Sequence, residues 1–288
     1  MMIGSTVSDN VKLVHKAYKV REMILRSVER SGTGHVASSF SCAEILSALY
    51  FGGILRYDAK NPKWADRDRF LMSKGHAATG FYCVLSMAGF IPEETALNVA
   101  SNTSSVGTHL QSDIPGVEAT SGSLGQGLGI GCGMALAARM NRQNYLTFVL
   151  TGDGELDEGS IWEAALFANH HRLNNLVWII DRNKMQCADF TENCISLEPL
   201  DEKISAFGFN VAQCNGNDCG SIIETLSDVR SRPRNKPLCV IAHTVKGKGL
   251  PDVENDLLAH YYLPKAKDVE ALINEYIRPY LAPEKEDK

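Results

Sequence analysis

Between positions 9 and 30 the apolar residues Val14, Ala17, Tyr18, Ile24, Leu25 and Val28 fall largely on one face of a helical wheel, with Arg21 set among them. This period predicts an amphipathic helix over 9–30, stopped by Gly32 or Gly34. Further helices are predicted over 42–51, 76–89 and 92–101, the last with Pro92 in its first turn. A glycine-punctuated helix starts near Gly125, and its glycines predict close approach to other backbone. The pattern then changes. Positions 145–150 and 176–180 are unbroken apolar runs rich in β-branched and aromatic side chains, as strands buried on both faces require. A helix over 160–171 lies between them, a helix over 222–231 follows, and 239–242 makes a later strand. Strand alternating with helix predicts an α/β fold in which a parallel sheet is covered by helices on both faces and ligands gather at the carboxyl ends of the strands.

Composition narrows the partners. With 288 residues, 44% hydrophobic and 22% charged, the chain has the make-up of an ordinary globular protein, and no repeat or linker-like tract divides it. One domain over 1–288 is expected, with a charged tail from about residue 283. Lys and Arg number 29 against 34 Asp and Glu, a formal net charge of -5, so no basic field attracts nucleic acid or an anionic membrane. The apolar runs fall far short of the roughly 20 residues that span a bilayer, and the first residues lack the basic start and apolar run of a secretion signal. A cytoplasmic protein with neither membrane nor nucleic-acid partners is expected. The eight cysteines include no C-x-x-C pair and mostly lie in core-like runs, as reduced thiols do. Cys214 and Cys219 flank a turn and lack the further ligands a zinc site needs.

Gly152-Asp153-Gly154 follows the first strand, and Asn183, thirty residues after Asp153, follows the second. A right-handed crossover brings both to one sheet edge. Alone, Gly-Asp-Gly reads as a strand-to-helix turn. The spacing to Asn183 favours a hard cation instead: Mg²⁺ takes a carboxylate, an amide oxygen and phosphate oxygens in an octahedron, and small glycines let backbone approach the phosphates. The expected ligand is a metal-diphosphate.

At this point the residues resemble the thiamine diphosphate fingerprint, a Gly-Asp-Gly followed about thirty residues later by Asn. Ser31-Gly32-Thr33-Gly34-His35, Ser73-Lys74-Gly75-His76-Ala77, Gly107-Thr108-His109, the stretch from Thr120 to Gly127, and Lys246-Gly247-Lys248-Gly249 followed by His260 all look like transketolase, in the same order and at similar spacings. The resemblance covers about residues 10–265 and only the amino-terminal, diphosphate-binding half of that family. The chain therefore resembles the small subunit of a split, two-subunit transketolase.

The resemblance implies a thiamine diphosphate-binding fold and transfer of a two-carbon ketol unit from a ketose phosphate, or a modified sugar, to an aldose phosphate. It implies thiamine diphosphate with Mg²⁺, for which Ca²⁺ or Mn²⁺ substitute, held by Asp153, Asn183 and the backbone carbonyl of Met185. His76, Gly122, Ser123, Leu124, Gly152, Asp153, Gly154, Glu155, Glu158, Glu163, Asn183 and Lys246 match cofactor-contacting positions. His35, His76, His109, His260 and Glu158 match catalytic ones, Glu158 being the carboxylate that couples paired active sites. Imidazole, with an ordinary pKa near 6.5, moves protons at sugar hydroxyls near neutral pH. Lys74 and Lys246 either contact diphosphate or substrate or stay solvated.

The family places the pyrimidine-binding and C-terminal domains, and the glutamate that activates the cofactor, on the other half. An inactive single chain, an α2β2 assembly and a C-terminal partner subunit follow as expectations. Val36 stands where the family commonly has proline after the histidine, and Tyr261 follows His260 where glycine is common; both bear on donor and acceptor choice. Two rival readings stay open: a subunit of a 2-oxo acid dehydrogenase type enzyme, which shares Asp153 and Asn183 but has no need of sugar-facing histidines, and a non-catalytic scaffold.

Overall fold

The computed structural model describes residues 7–281 apart from 103, 188 and 233; the first six residues, read above for a secretion signal, and the charged tail from 283 lie outside the described residues. The strands are β1 (Arg69–Met72), β2 (Thr147–Gly152), β3 (Leu176–Arg182), β4 (Met185–Gln186), β5 (Asp189–Phe190), β6 (Asn210–Asn215) and β7 (Leu238–His243). Five of them pair in parallel in the order β1-β2-β3-β7-β6, and β4 with β5 forms a short antiparallel ribbon. The helices are α1 (Val7–Ser31), α2 (Val36–Ser41), α3 (Ala43–Phe51), α4 (Ala78–Met87), α5 (Glu93–Leu97), α6 (Gln126–Met140), α7 (Gly159–His170), α8 (Thr191–Cys194), α9 (Leu200–Ala206), α10 (Cys219–Leu226) and α11 (Ala266–Leu272).

The strand pleat sends alternate side chains to opposite faces, and both faces are covered. Phe148, Leu150, Val177 and Ile179 join a core built with α1, α3, α4 and α10. Val149, Trp178 and Ile180 join a second core with α6, α7 and α9. Two buried faces explain why these strands read as continuous apolar runs. Each fully buried large side chain contributes about 1.5–3 kcal/mol of transfer free energy, so the central strands anchor the loops at their ends.

Several elements differ from expectation for identifiable reasons. Every residue of α2 is buried, so it shows no amphipathic period. Strand β1 is only four residues long, and the edge strand β6 exposes Asn210, Gln213 and Asn215, so neither offers an apolar run. Helix α5 stops at Leu97, and Ala100 has a left-handed φ of 56°. Strand β2 begins at Thr147 and carries through to Gly152, because Tyr145 and Leu146 precede the pairing register. Helix α10 begins at Cys219, capped by the Asp218 carboxylate, which accepts from Gly220 N at 2.8 Å. No helix among the described residues is long and apolar enough to cross a membrane.

Candidate active site

Parallel pairing of β2 with β3 sets Gly152 beside Asp181, so Asp153 and Asn183 leave adjacent strands at the same sheet edge. Asp153 is buried; Oδ1 accepts from Gly154 N at 2.9 Å and Oδ2 accepts from Lys184 N at 2.5 Å and from Arg182 Nη1 at 3.2 Å. Burial, followed by the neighbouring Asp181 carboxylate, pushes Asp153 up to about 6, the mark of an anion short of positive charge. Asn183 is held from both sides: Oδ1 accepts from Met185 N at 3.2 Å and Nδ2 donates to Asp181 Oδ1 at 3.3 Å.

These residues open onto a cleft of about 280 Å³. His76, His109, His260, Gly122, Leu124, Gly152, Gly154, Glu155, Glu158, Met185 and Lys246 line it with Asp153 and Asn183. Three predicted residues do not. His35 stands beside the cleft, its ring centroid 5.9 Å from that of His76 and 5.2 Å from that of His260. Ser123 is exposed, and Glu163 is exposed on α7, away from the cleft lining. Glu163 is five positions past Glu158, and a helix turns such a pair onto different faces.

Glu155 is in the wall but serves inward. Its carboxylate accepts from Gly125 N at 2.9 Å, Ser73 Oγ at 2.5 Å and Gly152 N at 3.1 Å, which ties the start of α6 to the end of β2. Lys74 is likewise not free for a ligand. Its three ammonium protons go to Ser38 O at 2.9 Å, Ser41 Oγ at 2.8 Å and Asp181 Oδ2 at 2.6 Å. Burial works against that charge, yet Asp181 holds the Lys74 ammonium above its usual range. Among the described residues Lys246 has no such partner: burial and then Lys74 bring it down to about 8.

Burial, aided by nearby cations, lowers the histidines. His260 falls to about 4 through burial and then Lys246; His76 lies well below its ordinary value through burial and then Lys74; His35 is lowered by burial and then His109. All three are therefore neutral near pH 7. His109 Nδ1 lies 3.3 Å from Gly75 O, and a carbonyl only accepts, so Nδ1 carries the proton and Nε2 is left as the base. The His109 ring packs on Gly122, whose φ of 134° and 3.2 Å clearance for an added Cβ admit only glycine.

Other residues of the cleft escaped sequence reasoning. Ser38, Asp157 and Gln186 line it, and among the described residues Ser38 Oγ, Asp157 Oδ1, Gln186 Oε1 and His260 Nδ1 are buried without a hydrogen-bond partner. A buried polar atom left unpaired costs about 1–3 kcal/mol, so four of them around one cleft point to a polar ligand. Nothing in the Ser38-Ser39-Phe40-Ser41 run marks one serine over another. Arg182 was also missed: fully buried, it links Asp153 to Thr191 Oγ1 at 2.7 Å, Glu192 at 3.0 Å and Glu198 at 2.8 Å. Its charge at the end of an apolar strand was the available signal. Among the described residues no group of three or more His, Cys, Asp and Glu side chains is arranged to hold a metal.

A family model described as "Transketolase, thiamine diphosphate binding domain" matches residues 14–279. An apulose-4-phosphate transketolase subunit of Phocaeicola vulgatus is 40% identical over 257 residues, covering 89% of this chain and 91% of its own length. The protein of the same name from Actinobacillus succinogenes is 40% identical over 93% of this chain and 96% of its own. A 6-deoxy-6-sulfo-D-fructose transketolase subunit of Clostridium sp. is 38% identical over 87% and 90%. Among solved structures, a transketolase mutant from Pichia stipitis gives a TM-score of 0.84 at 27% identity over 93% of this chain, and the Campylobacter jejuni enzyme 0.81 at 25%. This chain spans 40% and 48% of those two.

Proposed function

This chain belongs to the transketolase family through its thiamine diphosphate-binding domain, and from that premise we propose that it is the diphosphate-binding subunit of a split transketolase that moves a two-carbon ketol unit between sugar phosphates. The observation that carries the reading is the cleft at the ends of β2 and β3, where a buried carboxylate, an unpaired lysine and a cluster of neutral imidazoles meet.

The residues present fit the cofactor. Lys246 offers the diphosphate a cation, and the unpartnered Ser38 Oγ and Gln186 Oε1 offer a polar lining. At Gly154 an added Cβ would stand 2.9 Å from the Gln186 side chain, so this wall is already as close as backbone allows. Asp153 and the Asn183 amide oxygen, with the carbonyl of Met185, would hold Mg²⁺. A single carboxylate suffices if diphosphate oxygens complete the shell, which agrees with the absence of an acidic cluster among the described residues. When bound, thiamine diphosphate supplies the nucleophilic carbon at which the ketose is split.

The chain's own part is orientation and proton movement. His109 Nε2, with Nδ1 fixed by Gly75, accepts a proton from a sugar hydroxyl, and the neutral His76 and His260 flank the same space. Their resistance to protonation keeps them in the neutral form at neutral pH. Glu158 lines the cleft and is the residue for coupling to a second site across an interface. Residues 1–288 act as one domain, and a C-terminal subunit completes an α2β2 enzyme; the names of the subunit relatives support a partner subunit as such. Those names also favour a specialised sugar as the donor. The cytoplasm suits eight cysteines that all stand free.

Calorimetric titration of thiamine diphosphate with Mg²⁺, into the chain alone and after mixing with its partner subunit, tests the proposal. Tight binding in the mixture, lost with Asp153→Ala and followed by turnover of a ketose donor, is expected. Turnover of a ketose by the single chain overturns the partner requirement, and no binding in the mixture overturns the cofactor reading.

A further inference from the structure

Lys246 is 3% exposed, and among the described residues its ammonium makes no ion pair. Its own carbonyl accepts from Asn255 N at 3.1 Å, and the backbone on either side of it is gripped as well. Val245 N donates to Asn217 Oδ1 at 2.7 Å, and Lys248 O accepts from Arg21 Nε at 2.8 Å.

The two gripping residues share one carboxylate. Asn217 Nδ2 donates to Glu44 Oε2 and to Ser41 O, each at 3.1 Å. Arg21 takes Glu44 in a fork, Nη1 to Oε1 at 2.6 Å and Nη2 to Oε2 at 2.8 Å, and Nη2 also reaches Phe40 O at 3.0 Å. Gly247 N donates to Ala37 O at 3.1 Å, beside the cleft-lining Ser38. Gly249, at a φ of 100°, lies against the Arg21 side chain, where an added Cβ would stand 3.2 Å away. The loop bearing Lys246 and the helix bearing Ser38 are thus joined to one network.

A buried ion pair is a poor source of stability compared with apolar side chains of the same volume, but a planar guanidinium fork fixes direction. We propose that Arg21, Glu44 and Asn217 are positioning residues, a clamp that sets where Lys246 presents its charge to the diphosphate. This rests on the thiamine diphosphate reading above. None of the three lines the cleft, so the clamp acts only through Lys246.

The test is a double-mutant cycle read by titration of inorganic diphosphate with Mg²⁺ into the chain assembled with its partner subunit. Asn217→Ala, which removes the acceptor for Val245 N, is expected to weaken binding about five- to tenfold. Made on top of Lys246→Ala, the same change is expected to weaken it less than about twofold. General loosening of the fold lowers affinity equally in both backgrounds, and that result overturns the clamp. So does unchanged binding by Asn217→Ala, or by Lys246→Ala, in an enzyme that otherwise binds diphosphate; either leaves the cofactor reading standing. Failure of the unaltered enzyme to bind overturns the cofactor reading and the clamp with it. If Asn217→Ala does not melt cooperatively, Arg21→Lys replaces it in the cycle, since an ammonium cannot bridge Lys248 O and both Glu44 oxygens in one plane.

Discussion

Removing Lys74 strands a charge. Lys74→Met leaves Asp181 fully buried with its strongest partner gone, and breaking such a pair from one side costs about 3–5 kcal/mol. Urea unfolding should show a lower midpoint at an unchanged slope, the shift multiplied by that slope giving this amount, and adding Asp181→Leu should recover most of it. His260 yields a pH prediction. Above its ordinary 6.5 the imidazole is neutral in folded and unfolded chains alike. Below it the unfolded chain takes up the proton while the folded chain resists until about 4, so stability falls as pH drops through that window. Asp153 acts oppositely: the folded chain holds its proton below about 6, the unfolded chain only below 3.8. His260→Gln should therefore narrow the fall in melting temperature between pH 7 and about 4.5, and an unchanged fall would show that the imidazole is not buried against protonation. At this scale Asp153 and Asn183 were legible because their spacing equals one strand-helix-strand unit. Ser38 was not, because a buried serine looks the same in sequence whether or not it faces a cleft, and Arg182 showed only as a charge at the end of an apolar strand, with nothing to name its partners.

Helix α6 shows how one residue type answers to two environments. A Cβ at Gly127 would overlap Ser73, and one at Gly131 would overlap Val149, so these glycines exist for close packing on β1 and β2. Gly129 and Gly133 meet nothing within 4 Å, contrary to the expectation that the whole run packs closely. Gly129→Ala should stabilise the isolated chain by about 0.5–1 kcal/mol through helix propensity alone. Gly127→Ala should destabilise it, by about 1–3 kcal/mol for an overpacked site, and thermal melts of the two variants give opposite signs if the packing is as described. Periodicity foretold α1, β3 and β7 well because each has either a clear amphipathic face or two buried faces, while α6 was read from its glycine run and α7 from its place between two strands. It failed for α2, β1 and β6, where burial is total, the element is four residues long, or the strand is a polar edge.

For the whole molecule, a ligand that binds only the folded, assembled state raises stability by mass action, about 2.7 kcal/mol at a concentration one hundred times its dissociation constant. Thiamine diphosphate with Mg²⁺ should therefore raise the melting temperature of the chain mixed with its partner and leave the chain alone unchanged, and chelation should reverse the rise; a rise with the single chain would place a complete site on one subunit. Sequence alone determined the parallel α/β class and the family, because hydrophobic period, strand-end glycines and motif spacing are local or nearly local properties. Tertiary structure alone decided which matched residues share the cleft. His76, His109, His260 and Lys246 converge there from separate segments, while Glu163, five positions beyond Glu158, is exposed away from the lining. It also decided which charges are already paired, as Lys74 is and Lys246 is not, because pairing depends on side chains that come together only when distant strands adopt one register.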